Sequence, residues 1–414
     1  MNSNEFSLNK ISWQKVNFNK GFWSEKVSLA NEKVIPYQWK ALNDEIPEAE
    51  PSHAIENFRI AAGKSDSEFK GMIFQDSDVA KWLEAVGYSL ANKPNPELEE
   101  KADEVIDLIA EAQQENGYLN TYFQVKEPDK KWTNLRDWHE LYCAGHMMEA
   151  AVAYYQSTGK NKLLKVMCNF ADLIYDKFGT ESDQMRGYPG HEEIELALIK
   201  LYQVTDEERY LELSKFFIDG RGKEPNYFRK EAKAREDDPE YWDLIGYKYN
   251  QAHLPVREQK EAVGHSVRAM YLYSSMADLV KETGDAELYE ACRKLWKNTT
   301  RKRMYITGGV GSSGYAESFT FDYDLPNNTA YTETCAAIGL VFWAQRMLNL
   351  ELNSEYADVM EKALYNGVLS GISLDGEKYF YVNPLEVWPE ACDKRYDKRH
   401  VKTSRQERFG CACC

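Results

Sequence analysis

The sequence predicts an all-α protein with minor β content, its helical hairpins closed into an (α/α) barrel. Three observations carry this. Apolar residues recur at helical spacing over most of the 414 residues, a helix–turn–helix unit repeats along the chain, and the unusual polar residues fall near the start of the first helix of each unit.

In chain order, the first helical stretches are 78–91 and 97–114. There Val79, Leu83, Val86 and Leu90, then Leu98, Ala102, Val105 and Ile109, return every three or four positions, as one face of a helix requires. The stretches 139–157 and 161–178 follow, separated by Thr158-Gly159-Lys160 before Leu163. Next come 191–203 and 207–219 around Thr205-Asp206-Glu207 before Tyr210, then 261–282 and 286–303 around Thr283-Gly284-Asp285 before Leu288. A looser copy, 331–350 and 355–370, turns at Asn353-Ser354-Glu355-Tyr356. Small polar residues and glycine end helices and start turns, so these breaks have a physical cause. Tyr379-Phe380-Tyr381-Val382, after the turn Leu374-Asp375-Gly376, is the clearest strand-like piece. The repeat spacing, near 47 and then 78 residues, is too uneven for an open solenoid and favours a closed ring.

Composition narrows the function. With 43% apolar and 29% charged residues the chain is globular, and no apolar run approaches the roughly 18–20 residues of a membrane span. A balance of 51 Lys+Arg against 67 Asp+Glu, net −16, disfavours nucleic acid as a partner. The first sixteen residues, MNSNEFSLNKISWQKV, lack the apolar core of a secretory signal, so a cytoplasmic location is expected. No Gly/Ser- or Pro-rich linker divides the chain, so residues 1–414 are read as one domain; the basic run 394–408 reads as a solvated loop. Ten Trp and 27 Tyr suit a cleft for a sugar or peptide. Three of the eight cysteines lie in the last four residues, a cluster that in a reducing compartment points to metal or catalysis rather than disulfides.

His139, His191, His265 and Glu333 stand 19, 14, 18 and about 17–20 residues upstream of their turns. If the first helices form the inner ring, all four reach one mouth; singly, each also reads as a helix-start cap. Glu333-Thr334-Cys335 with Cys411-Ala412-Cys413-Cys414 offers a carboxylate and thiolates, and Glu333, Cys335 and two terminal cysteines would complete a tetrahedral zinc site. Residues i and i+2 lie about 200° apart on a helix, so Glu333 and Cys335 share a metal only where the turn is irregular or pre-helical. The glycine-rich 308–317 segment has no Lys-Ser/Thr and no strand–loop–helix setting, so it is not a phosphate loop. It reads instead as a flexible loop delivering Glu317, whose carboxyl against an apolar wall would keep its proton near neutrality and act as a general acid.

The strings Phe22-Trp23-Ser24, Phe74-Gln75-Asp76-Ser77-Asp78, Trp138-His139-Glu140-Leu141-Tyr142, Gly190-His191-Glu192-Glu193-Ile194-Glu195, Phe321-Asp322-Tyr323-Asp324-Leu325-Pro326, Thr332-Glu333-Thr334-Cys335-Ala336 and Cys413-Cys414 resemble the β-L-arabinofuranosidases of glycoside hydrolase family 127. The resemblance implies an (α/α)6 barrel and a zinc held by Glu333, Cys335, Cys413 and Cys414. It implies Cys413 as nucleophile and Glu317 as acid/base, with His139, His191, His265, Glu361 and Tyr381 as sugar-binding or supporting groups. The implied activity is zinc-dependent, retaining release of terminal β-L-arabinofuranosyl groups from plant-derived glycans or oligosaccharides. Members of the family continue past the Cys-Cys pair into β-sandwich domains, which are absent from this sequence; a homodimer is compatible with this reading. The rival readings are a hydrolase for another plant furanose or an acidic deoxysugar, a metal-independent (α/α)6 enzyme such as an unsaturated-glycuronyl hydrolase or a sugar epimerase, and a non-catalytic helical-repeat binding module.

Overall fold

The computed structural model describes residues 11–47, 49–239 and 246–411. In chain order its helices are α1 (Phe22–Leu29), α2 (Ile35–Leu42), α3 (Ala54–Ala61), α4 (Asp76–Asn92), α5 (Pro96–Ala112), α6 (Thr121–Val125), α7 (Glu140–Thr158), α8 (Lys162–Lys177), α9 (Ile194–Thr205), α10 (Glu208–Gly220), α11 (Tyr227–Ala234), α12 (Ser266–Thr283), α13 (Ala286–Asn298), α14 (Thr334–Leu350), α15 (Ser354–Ala363) and α16 (Pro389–Lys394). A π-helical turn, Ala30–Val34, joins α1 to α2.

Two concentric rings result. Helices α4, α7, α9, α12 and α14 pack side by side as the inner ring. The α1–α2 span closes it: the Ile35 carbonyl accepts from Trp82 Nε1 on α4, and Phe22 and Trp23 stack against Tyr365 beyond α15. Helices α3, α5, α8, α10, α13 and α15 form the outer layer, each on its inner neighbour. This is the (α/α)6 barrel expected. The sequence distinguishes the rings: α7 is buried on every side from Glu140 to Tyr154, whereas α8 buries one stripe, Leu163, Met167, Phe170 and Ile174 among it.

The repeated turn has repeated chemistry. The hydroxyls of Thr158, Thr205 and Thr283 donate to the carbonyls of Tyr154, Leu201 and Leu279. The next residues, Gly159, Asp206 and Gly284, take left-handed φ of 74°, 60° and 69° and donate back into the last helical turn. The inner helix therefore stops, and the chain reverses onto the outer one.

The expected strand at 379–382 is not a strand. Its pairing is confined to single bridges, Tyr379 with Ile372 and Gln406, and Val382 with Glu333, because its carbonyls serve the start of α14: Thr334 N donates to Tyr381 O at 3.0 Å and Thr334 Oγ1 to Phe380 O at 2.7 Å. Similarly, 261–265 is not helical, and α12 begins only at Ser266. The segment after 400 is tied to α4, Arg408 Nη2 lying 2.8 Å from Asp78 Oδ2 with both side chains buried. No helix among the described residues is long and apolar enough to cross a membrane.

Candidate active site

The N-terminal ends of the inner helices converge on a cavity of about 290 Å³. His139 and His265 occupy the residues just before α7 and α12, Glu333 the residue before α14, and His191 lies two residues ahead of Glu193, which precedes α9. The three imidazoles form a chain, His139 to His191 at 5.9 Å and His191 to His265 at 6.0 Å between ring centroids. Helix N-termini carry partial positive charge, so this mouth favours anionic groups.

Glu333 has φ −59° and ψ 144°, an extended conformation outside the helix. The pre-helical geometry that Glu333 and Cys335 need to share a ligand is therefore present, and both line the cavity together with Cys411. Both Glu333 carboxylate oxygens are buried, and Tyr381 is the side chain that hydrogen-bonds this carboxyl. Burial, then the charge of Glu317, push this carboxyl well above its ordinary range. A buried carboxylate with a single hydroxyl partner beside a thiol suits a cation. The donor set present therefore fits zinc, and Cys413 and Cys414 lie outside the described residues.

Glu317 arrives by the glycine-rich loop, as expected, but the loop is pinned. Ser313 and Ser318 exchange backbone hydrogen bonds of 3.1 and 3.0 Å, and Phe319 N donates to Gly264 O at 2.9 Å, while Ser266 Oγ donates to the Glu317 carbonyl at 3.1 Å. Ala316 and Glu317 have φ of 53° and 50°, consecutive left-handed residues of the kind that concentrates at functional sites. The carboxylate lies 2.7 Å from His265 Nε2 and accepts from the Tyr331 hydroxyl at 2.7 Å. Burial pushes its pKa up, but the bond and charge of His265, the Tyr331 hydroxyl and the charge of Arg268 outweigh it and hold the group below the usual carboxylate range. The expectation of a Glu317 proton retained near neutrality is corrected for the free protein: partners, not an apolar wall, dominate. Atoms of His265, Glu317 and Glu333 come within 4.8 Å of one another.

Burial lowers all three histidines. His139 falls to about 3 with help from Arg268, His191 falls well below its ordinary value, and His265 falls despite Glu317. His139 and His191 are neutral hydrogen-bonding groups, suited to sugar hydroxyls. Tyr381 lines the same cavity. Glu361 does not, and its expected place beside a sugar is corrected: α15 turns Tyr356, Val359 and Ala363 inward, and Glu361 lies on the exposed face.

Several residues here escaped the sequence reading. Arg268, one turn into α12, donates to Gly190 O at 2.7 Å and lies 4.5 Å from the Tyr249 ring. Lys81 Nζ bonds Tyr142 OH at 2.9 Å. Phe74 packs 5.0 Å from the His139 ring. An arginine three residues after His265 on an inner helix was the available signal.

The family model for the β-L-arabinofuranosidase GH127 catalytic domain matches residues 15–414. A non-reducing end β-L-arabinofuranosidase of Bifidobacterium longum subsp. longum is 47% identical over 411 residues, 95% of this chain and 62% of that protein. The chain thus spans less than two thirds of that relative. Among solved structures it is similar to a GH127 β-L-arabinofuranosidase from Geobacillus stearothermophilus T6, at 63% identity and TM-score 0.95 over 97% of this chain and 63% of that one. A sugar epimerase from a ruminal bacterium, 11% identical with TM-score 0.53 over 87% of this chain and 90% of that one, shares the fold alone.

Proposed function

The chain belongs to the GH127 β-L-arabinofuranosidase catalytic-domain family, and on that premise we propose that it is a zinc-dependent retaining glycoside hydrolase releasing terminal β-L-arabinofuranosyl groups from plant-derived glycans or oligosaccharides. The observation that carries the reading is one cavity in which Glu317, fixed by His265 and Tyr331, faces the buried carboxyl of Glu333 and the sulfur of Cys335. A cavity of about 290 Å³ based on Tyr142 and Tyr271 suits one terminal sugar rather than a running polymer.

In this reading Glu333, Cys335, Cys413 and Cys414 hold the metal. When bound, zinc would keep the thiolates deprotonated at neutral pH and ease the departure of sulfur. His139, His191 and Tyr381 bind and orient the sugar hydroxyls as neutral partners. A sugar filling the cavity expels water and deepens burial, the influence that pushes Glu317 up, so its carboxyl takes a proton as substrate binds. The Cys413 thiolate attacks the anomeric carbon while the Glu317 proton passes to the departing glycosidic oxygen. In the second half Glu317 accepts a proton from water, whose oxygen attacks that carbon as the thiolate leaves. Two inversions give retention, with sulfur in place of the usual carboxylate nucleophile.

The test is hydrolysis of an aryl β-L-arabinofuranoside by reduced, zinc-supplied protein beside Cys413→Ser and Glu317→Gln, with bound zinc quantified in each. Turnover by the parent alone is expected. Turnover undiminished in Cys413→Ser would remove the nucleophile from the reading, and a zinc-loaded parent that cleaves only a different aryl glycoside would reassign the sugar.

A further inference from the structure

Beneath the sugar cavity, inside the inner ring, lies a second set of ligating side chains that the reaction above does not use. His146 and Glu149 are one turn apart on α7, and Glu193 directly precedes α9; one ligand atom from each lies within 4.8 Å of the others, and all three are buried. His146 Nδ1 is 3.2 Å from Glu193 Oε1 and 3.9 Å from Glu149 Oε2. Neither nitrogen of His146 meets hydrogen-bond geometry among the described residues, while Glu193 shares a side-chain hydrogen bond with Glu149; His146 and Glu193 are 3% and 1% exposed. Polar atoms in that state are costly unless something absent from the chain completes them. The space is built into the backbone, since a Cβ on Gly145 would collide with Glu193 Oε2. The rings of Tyr142, 4.5 Å from that of His146, and Tyr271, 6.0 Å away, stand between this set and the cavity.

Charge points the same way. Glu84, Glu149 and Glu193 set three carboxylates around the ammonium of Lys200, which bonds Glu149 and lies 3.8 Å from Glu84, while Lys81, bonded to Tyr142, faces His146 from the cavity side. Arg346, the nearby guanidinium, is taken by Asp278 at 2.5 Å. The carboxylates outnumber the ammonium groups that face them. Lys200 occupies Glu149 Oε1 and leaves Oε2 toward His146.

We propose that His146, Glu149 and Glu193 form a second site, for a divalent cation of the manganese or zinc type, that ties α7 to α9 beneath the sugar-binding histidines. One imidazole and two carboxylates without thiolate suit such ions. The ion would balance the surplus of carboxylate charge. The site touches no substrate and stands independently of the glycosidase reading.

Manganese is the probe, because soft thiolates select against it. In Mn2+ titrations of the metal-free full chain followed by EPR, one equivalent binds both the parent and Cys335→Ser, and the melting temperature of each rises. His146→Gln and Glu193→Gln weaken that binding about 10–100-fold; His146→Gln carries the comparison if Glu193→Gln does not fold. Mn2+ that stays free with the folded parent, or binds the parent and His146→Gln alike, would overturn the proposal.

Discussion

His265 Nε2 lies 2.7 Å from Glu317 Oε2, joining the start of α12 to a loop residue 52 positions later. Tyr331 holds the other oxygen. This pairing decides the protonation of Glu317, since burial alone would raise its pKa and His265 is the foremost influence lowering it.

His265→Asn is therefore expected to move the Glu317 ionisation in the pH profile of kcat/KM to higher pH, with Glu317→Gln lowering kcat by about 10²–10⁴. The two effects separate positioning from proton transfer. An ionisation that stays in place in His265→Asn would exclude the pairing as its cause.

Glu333 is the second point of leverage. Its carboxyl is buried with Tyr381 as its hydrogen-bonding side chain, and Cys335 faces the same cavity, so metal removal should leave a carboxylate without a compensating cation. Adding zinc to metal-free parent is expected to raise its melting temperature, and Glu333→Gln or Cys335→Ser to remove one bound equivalent and the part of the rise that it supplies. Equal zinc retention in both variants would rule out this ligand pair.

The barrel was legible because its repeated turns use the same chemistry, Thr158, Thr205 and Thr283 each ending an inner helix with a left-handed residue next. His139, His191, His265 and Glu333 were legible as a group because an inner-helix start is both a place for polar residues and the rim of the cavity. The α1–α2 span was missed: apart from Ile35, Ala41 and Leu42 it buries little, so its apolar pattern is faint. Glu361 was misplaced because a family resemblance gives no face, whereas its position two residues after Val359 already put it about 200° from the packed side of α15. Tyr331 and Arg268 carry no motif; only the three-dimensional approach of Glu317 and Gly190 reveals them.

The C-terminal cysteines depend on a distant anchor. Arg408 and Asp78 form a buried pair at 2.8 Å, Gln75 Nε2 also donates to Asp78 at 2.6 Å, and Cys411 reaches the cavity three residues beyond Arg408. Arg408→Met is expected to cost about 3–5 kcal/mol by leaving the Asp78 charge buried. Asp78→Asn combined with Arg408→Met should recover much of that stability while zinc affinity stays about tenfold or more below the parent's. Denaturation and zinc competition measured on the same samples check this, and affinity recovering along with stability would dissociate the anchor from the metal site.

Glu140 opens α7 next to His139. It accepts from Tyr118 OH at 2.5 Å and from Trp132 N at 2.7 Å, yet burial outweighs both donors and pushes it up to about 7 from an ordinary 4.5. Below the ordinary value the group is protonated in folded and unfolded chains alike and its contribution is intact. As pH rises toward 7 the unfolded chain releases this proton while the folded one keeps it, so folding is progressively disfavoured. Above 7 the loss is complete, on the order of 3 kcal/mol. Glu140→Gln has no proton to lose, and its amide can serve both neighbours, accepting from Trp132 and donating to the Tyr118 oxygen. Because every other titrating group is common to both proteins, the melting temperature of Glu140→Gln relative to the parent should climb between about pH 4.5 and 7 and then level off. Parallel curves across that range would show that the Glu140 carboxylate is solvated or paired more fully than its burial at the base of α7 implies.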